Sequence, residues 1–392
     1  MVYKLFISHV WIFHKTGDWY MKIQLSERQV MFLAGNAVIA SSLVVLPQSL
    51  IDLALQNTWI IPIFIFLYVY ILFNISLFGV GKLKSVKNVF SDKNKKNWGE
   101  KLIVVLFLIF IVHVVMRDLR VLSGFVETTL LPSTPLFAVT LLIIVCCTYI
   151  AWAGMEVVAR FTELHFIIFI GIILFVPISL AGEIKLENFE PVLGMEIIPS
   201  LLSSSFIAIS WFGESIVLLL IINMIAAPVK RIKWSFILGT TIGIALFSIL
   251  LFTQIGVLGA EILRYSAYPT YTLVQQIRIT EFLDRLDLVL VTLYFPTMFS
   301  KISLFIYGSY RCIELLLGET KKAVMIPIVL TIAICSMEIF SNKAVKLDFQ
   351  IYSWPMLGLI LQLSIAIGVV FIIKAENKKN KDKNGGYDQN NS

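Results

Sequence analysis

Apolar runs of about 18–24 residues recur along the whole chain, and each is long enough to cross a bilayer as a helix. At ~1.5 Å per residue, ~20 residues span the ~30 Å hydrocarbon core. The ten runs cover approximately 30–51, 58–80, 102–122, 136–154, 164–182, 201–222, 235–258, 287–307, 323–341 and 352–373. Inside lipid, every backbone N–H and C=O needs a partner within the protein, so such runs form helices. Hydrophobic residues make up 58% of the 392 residues and charged residues only 15%, a balance that excludes a soluble domain of this length. The expected class is an all-α polytopic membrane protein with about ten transmembrane helices.

The net charge of +7 sits in short linkers and the tail, where it reads as membrane-surface anchoring rather than nucleic-acid binding. The linker after the second run holds Lys82, Lys84, Lys87, Lys93, Lys95, Lys96 and Lys101. Arg160, then Lys230, Arg231 and Lys233, then Arg311, Lys321 and Lys322 mark later linkers on the same side. The linkers 52–57 and 123–135 have no lysine or arginine, and 183–200 is acidic. The positive-inside rule therefore predicts that both termini are cytoplasmic. Three regions are expected: a cytoplasmic segment 1–29, a transmembrane domain 30–373, and a disordered cytoplasmic tail 374–392. Residues 1–20 read as an upstream start assignment, because Met21 precedes a plausible helix cap at Ser26.

Two runs are interrupted. The sixth carries Ser210-Trp211-Phe212-Gly213-Glu214 at its centre, and the first carries Gly35-Asn36 and Ser41-Ser42. A mid-membrane carboxylate costs roughly 2.5–3.5 kcal/mol on insertion scales, so it faces a partner or a cavity. Interrupted spans in corresponding positions of two halves point to a transporter-type binding site. Five spans per half predict two inverted repeats, with the first and sixth helices discontinuous and opposed. Their half-helix ends would present N–H groups to a carboxylate and carbonyls to an ammonium, so an amino acid is the expected ligand class. Ser41 and Ser42 could cap the outer half of the first span, or simply pack. Gly213 would admit backbone, and Glu214 could cap the inner half of the sixth.

Lys301, at a similar depth in the eighth span, is a candidate partner for Glu214, the alternative being snorkelling to the interface. Phe295 and Thr297 flank Pro296 in that span, where a kink could free carbonyls for a ligand. Arg117, Asp118 and Arg120 lie near the outer end of span three, as an interface cluster or an outer gate. Glu156, Arg160 and Glu163 read as a structural ion-pair group at the inner end of span four. The linker 259–287, with Tyr265, Tyr268, Pro269 and Tyr271, suggests a short amphipathic helix at the surface or over a vestibule. Cys146, Cys147, Cys312 and Cys335 show no metal-ligand spacing. No cofactor, metal or catalytic motif is implied, so an enzyme is not expected.

An ordered succession of short motifs carries a resemblance. It includes Leu131-Pro132-Ser133-Thr134-Pro135, Tyr149, Gly154-Met155-Glu156, Ala159-Arg160, Glu163, Glu190-Pro191-Val192-Leu193 and Phe212-Gly213-Glu214. Tyr268-Pro269-Thr270-Tyr271, Phe282-Leu283-Asp284-Arg285-Leu286 and Lys301-Ile302-Ser303 continue it. Over about 22–373 the chain resembles the permease-like B subunit of spore germinant receptors. That resemblance implies the fold of the amino acid–polyamine–organocation transporter superfamily and an inner-membrane location in spores. It also implies partner subunits: a larger A subunit and a lipoprotein C subunit. A small nutrient germinant, an amino acid or similar, is then the expected ligand. A permease with alternating access and a channel-like subunit passing ions or water are the alternatives.

Overall fold

The computed structural model describes residues 11–13, 19–21, 24–80, 89–90, 98–192, 197–277, 286–318, 320–339 and 349–389. Most lysines of the linker after the second span, and Phe282 to Arg285, lie outside these residues. A small antiparallel hairpin, β1 (Trp11–Phe13) and β2 (Trp19–Met21), pairs Trp11 with Met21. All remaining elements are helical.

Helix α1 (Glu27–Ser42) starts at a capping box. Ser26 Oγ accepts from the Gln29 amide, and the Ser26 amide donates to Gln29 Oε1. After a turn at 43–45, α2 (Leu46–Ala54) continues the first span, with Pro47 in its first turn where a missing N–H costs nothing. Then follow α3 (Ile61–Ser76), α4 (Trp98–Phe125), α5 (Leu136–Ala153) and α6 (Met155–Ser179). Gly154, at φ 110°, makes the sharp corner between α5 and α6 that residues with a Cβ rarely adopt. Helix α7 (Ile198–Phe212) runs directly into a 3-10 segment, Gly213–Met224. The second half continues with α8 (Val229–Tyr265), α9 (Pro269–Val274), α10 (Leu286–Leu317), α11 (Met325–Ile339) and α12 (Trp354–Gln389). Helix α12 runs past Lys374, where composition alone predicts disorder. A helix anchored by a packed span propagates readily through Lys, Glu and Ala.

Eight helical segments among the described residues are long and apolar enough to cross a membrane. Span six is the innermost: 89% of its apolar window is buried, against 33% for α6. Around it stand α1, α2, α3, α4, α10 and α12. The closest packing is between α1 and α8, and glycine allows it. Gly239 and Gly243 are four apart on α8, so they share one face. A Cβ at Gly239 would lie 2.1 Å from Met31 O, and one at Gly243 2.6 Å from Gly35 O. Gly35 is the matching contact on α1, its Cβ position 2.9 Å from Gly239 O. Small residues spaced by four are how membrane helices bring their backbones together, because lipid provides no hydrophobic drive between helices.

Candidate functional site

Four ionisable side chains meet in the centre of the bundle, each at most 1% exposed: Arg117 and Asp118 from α4, Glu214 from the 3-10 segment, and Lys301 from α10. Arg117 grips Glu214 with both ends of its fork, Nη1 to Oε1 at 2.6 Å and Nη2 to Oε2 at 3.0 Å. Its Nε and Nη2 also donate to Asp118 Oδ1, at 3.0 and 2.5 Å. Lys301 Nζ closes the ring, 2.6 Å from Glu214 Oε2 and 2.9 Å from Asp118 Oδ2. It also donates to Ser41 Oγ on α1. Charges alternate around the ring, two cations and two carboxylates, so the group is formally neutral. Single buried charges would each cost several kcal/mol; fully paired and hydrogen-bonded, they are tolerated.

Aromatic faces hold the ring from the side. The Arg117 guanidinium lies 3.9 Å from the Trp211 ring centroid and 5.0 Å from that of Trp354. A delocalised, weakly hydrated guanidinium suits such stacking better than an ammonium would. Trp354 is stacked in turn on Phe110 and His113. Three donors beside the ring have no hydrogen-bond partner among the described residues: Trp211 Nε1, Trp354 Nε1 and Tyr294 Oη. Tyr294 is fully buried and within electrostatic reach of Asp118.

Above the ring, toward the end where α8 finishes, Phe125 receives Tyr268, Tyr271 and Tyr294 edge-on at 5.0, 5.8 and 5.7 Å. Over this plug lies a cavity of 470 Å³ lined by Thr128, Thr129, Ser266, Tyr268, Tyr271 and Gln275, among others. Burial raises the Tyr268 phenol above its ordinary range, opposed by its hydrogen bond with Thr128, so it stays protonated. The same segment reaches the break in span one: Thr270 Oγ1 donates to Leu43 O and accepts from Gln254 Nε2. The carbonyl freed where α1 stops is thereby satisfied from the linker.

Several expectations are corrected. Gly35-Asn36 does not interrupt span one; α1 runs through both, and the break falls at 43–45. Asn36 instead joins helices, donating to Thr297 O (3.0 Å) with its Oδ1 3.2 Å from His165 Nε2. Neither Ser41 nor Ser42 caps α2, which starts without a side-chain cap. Ser42 Oγ bonds back to Val38 O and Ile39 O. Span six has no gap at Gly213-Glu214: the α-helix tightens into a 3-10 helix, and Glu214 caps nothing because its carboxylate is taken by Arg117 and Lys301. A 3-10 run this long is unusual, since such runs seldom exceed about 3–4 residues. Arg117 and Asp118 form no outer gate, because α4 extends to Phe125 and leaves them deep in the bundle. Arg120 is half-buried beside Gly124, outside the ring. Lys301 does not snorkel; it is fully buried. Phe295, half-buried, contacts Phe299 rather than the ring. Pro296 sits within a continuous α10. Of the ion-pair group near span four, Arg160 pairs with Glu156 at 2.6 Å, but Glu163 pairs with Arg28 on α1.

Gly213 meets Gln362 of α12. Gln362 is clamped, its Oε1 accepting from Tyr68 Oη and its Nε2 donating to Ser210 O, both at 2.7 Å. Ser210 Oγ itself bonds to Ile207 O, and Phe212 packs against Phe247. A Cβ at Gly213 would lie 2.0 Å from Gln362 Oε1. Gly213→Ala is therefore expected to lower stability by about 1–3 kcal/mol through overpacking. Gln362→Ala in the same chain should recover most of that, as read by thermal unfolding in detergent. A single variant as stable as the wild type would show that the clamp yields freely.

The fold is that of secondary transporters. A nucleobase-cation-symport transporter, MHP1, solved closed with bromovinylhydantoin bound, superposes with a TM-score of 0.60 at 10% identity, over 84% of this chain and 75% of that one. A Na+-coupled sialic acid symporter in a substrate-bound outward-open state gives 0.56 at 13% identity, over 90% of each chain. This is thus an all-α, multi-pass integral membrane protein that shares the fold of these two transporters. Residues 24–345 match the family described as Spore germination protein (Spore_permease), and the chain belongs to it. It is 27% identical to the putative spore germination protein YfkT of Bacillus subtilis (strain 168), over 90% of this chain and 96% of that protein. Spore germination protein KB of the same organism is also 27% identical, over 93% of this chain and 98% of that one.

Proposed function

We propose that this chain is the nutrient-binding membrane subunit of a spore germinant receptor, taking an amino acid or similar small zwitterion at the charge ring. The observation that carries the reading is the combination at one buried place: paired opposite charges and three donors with no partner among the described residues. A ligand carboxylate suits Arg117 and the free donors of Trp211, Trp354 and Tyr294. Its ammonium suits Asp118 and Glu214, displacing Lys301 toward Ser41. Arg117, Asp118 and Glu214 each exchange one charged partner for another, which limits the desolvation cost, while Lys301 keeps the Ser41 hydroxyl. Ligand binding would reset the ring and with it the packing of α4, α10 and span six, shifting the balance between two conformations.

In this reading, the five spans from α1 to α6 (α1 and α2 making one) and the five from α7 to α12 (α9 making none) form two inverted repeats, both termini are cytoplasmic, and the membrane is the inner membrane of the spore. A-type and lipoprotein C-type subunits read the conformational change. The likeness to symporters favours a second reading, an amino-acid permease. Purified protein in liposomes separates the two: the receptor reading predicts saturable binding of an amino acid without accumulation, and concentrative uptake would favour the permease. A channel-like subunit would show neither, but would pass ions or water.

A further inference from the structure

A groove far from the charge ring opens on the bundle flank at the end where α8 begins. It measures 740 Å³, lies between the end of α3, the turn that follows it and the first turns of α8, and touches α12 at Val370. Its apolar wall includes Ile71, Ile75 and Phe78, all well exposed, with Trp234, 66% exposed, at its rim. Its polar lining groups are Tyr70, Asn74, Lys230 and Lys233. Lys230 is exposed, and Lys233 Nζ donates to Asn74 Oδ1 at 2.7 Å, which leaves two of its three N–H groups for another acceptor. No carboxylate is among the residues lining the groove.

The placement of these lysines favours an anion. Lys230, Arg231 and Lys233 crowd the first turn of α8, which holds no acidic residue, and the helix dipole there already adds partial positive charge. Arg231 is drawn off to Glu27 at 3.3 Å, but Lys230 and Lys233 face the groove. An apolar channel running along the spans from a doubly cationic head has the shape and charge of a phospholipid in the membrane plane. Trp234, beside Lys233 and well exposed, is an amphipathic ring of the kind that favours the headgroup region.

We infer that this groove holds one anionic phospholipid, its phosphate on Lys230 and Lys233 and an acyl chain along Ile71, Ile75 and Phe78. Each basic side chain near a membrane surface favours anionic over neutral lipid by about five-fold, so the pair together gives about thirty-fold. The test uses the full chain purified in detergent, exposed to equal phosphatidylglycerol and phosphatidylcholine, with retained lipid counted by native mass spectrometry. The wild type should keep one phosphatidylglycerol. Lys230→Gln with Lys233→Gln should lower the phosphatidylglycerol-to-phosphatidylcholine ratio about thirty-fold at unchanged melting temperature, and the paired Lys→Arg variant should retain it. Equal retention of both lipids, or an unaltered ratio in the Gln variant, overturns the inference. Displacement of the lipid by millimolar inorganic phosphate alone also overturns it, since the site would then take a soluble anion.

Discussion

Glu214→Gln is expected to be among the most damaging single substitutions in this protein. It removes one negative charge from a ring whose members are at most 1% exposed, and leaves Arg117 and Lys301 facing Asp118 alone. Removing one partner of a buried pair strands a charge, at a cost of about 3–5 kcal/mol. The expected results are a large fall in melting temperature and loss of the nutrient response. Glu214→Gln combined with Lys301→Met should restore much of the stability, because Arg117 and Asp118 then remain as a neutral pair. The nutrient response should stay lost in that double variant. Independent, additive effects of the two substitutions would show that the ring does not act as a unit.

Gly239→Ala should be nearly as severe, for a different reason. Its Cβ would fall 2.1 Å from the Met31 carbonyl oxygen and 2.8 Å from Ala34 Cβ. The first of these is backbone, which cannot swing aside as the Gln362 side chain can, so α1 and α8 must separate. Overpacking costs about 1–3 kcal/mol where side chains can adjust, and Gly239 should sit at or above the top of that range. Gly171 in α6 is the control: nothing lies within 4 Å of its Cβ position, so Gly171→Ala should be neutral or slightly stabilising. Thermal unfolding and expression level read both. A Gly239→Ala protein as stable as the wild type would contradict the close α1–α8 approach.

The helical spans were legible because lipid imposes a length and a composition on each of them. What lipid does not impose was harder to read. The apolar run of span three stops near 122, which suggests that Arg117 and Asp118 lie at an interface. Helix α4 in fact continues to Phe125 within the bundle, and the two charges are buried because Glu214 and Lys301 satisfy them. Pairing between charges on different helices is a tertiary fact. Depth along two spans could suggest Glu214 with Lys301, but nothing local pointed Arg117 toward them. Trp211 sat within the singled-out motif, while Trp354, at the start of the last span, resembles an ordinary interfacial tryptophan. The break in span one went to the wrong residues for a related reason. Gly35 serves the close approach of α8, and the freed carbonyl at Leu43 is answered by Thr270, 227 positions later. The glycine spacing 239/243 was present in the sequence as a packing motif, but its partner helix was not.

If the ring and its unpartnered donors bind a nutrient, Tyr294→Phe should weaken that binding without weakening the fold. The substitution removes only a buried hydroxyl with no partner among the described residues, so melting temperature should hold or rise slightly. Equilibrium binding of an amino-acid panel should be compared for the purified wild type and this variant. The wild type should bind saturably, and Tyr294→Phe should bind roughly ten-fold or more weakly, the loss of one hydrogen bond to a charged ligand. Undiminished binding by the variant, or no binding of any zwitterion by the wild type, would contradict nutrient binding at the ring.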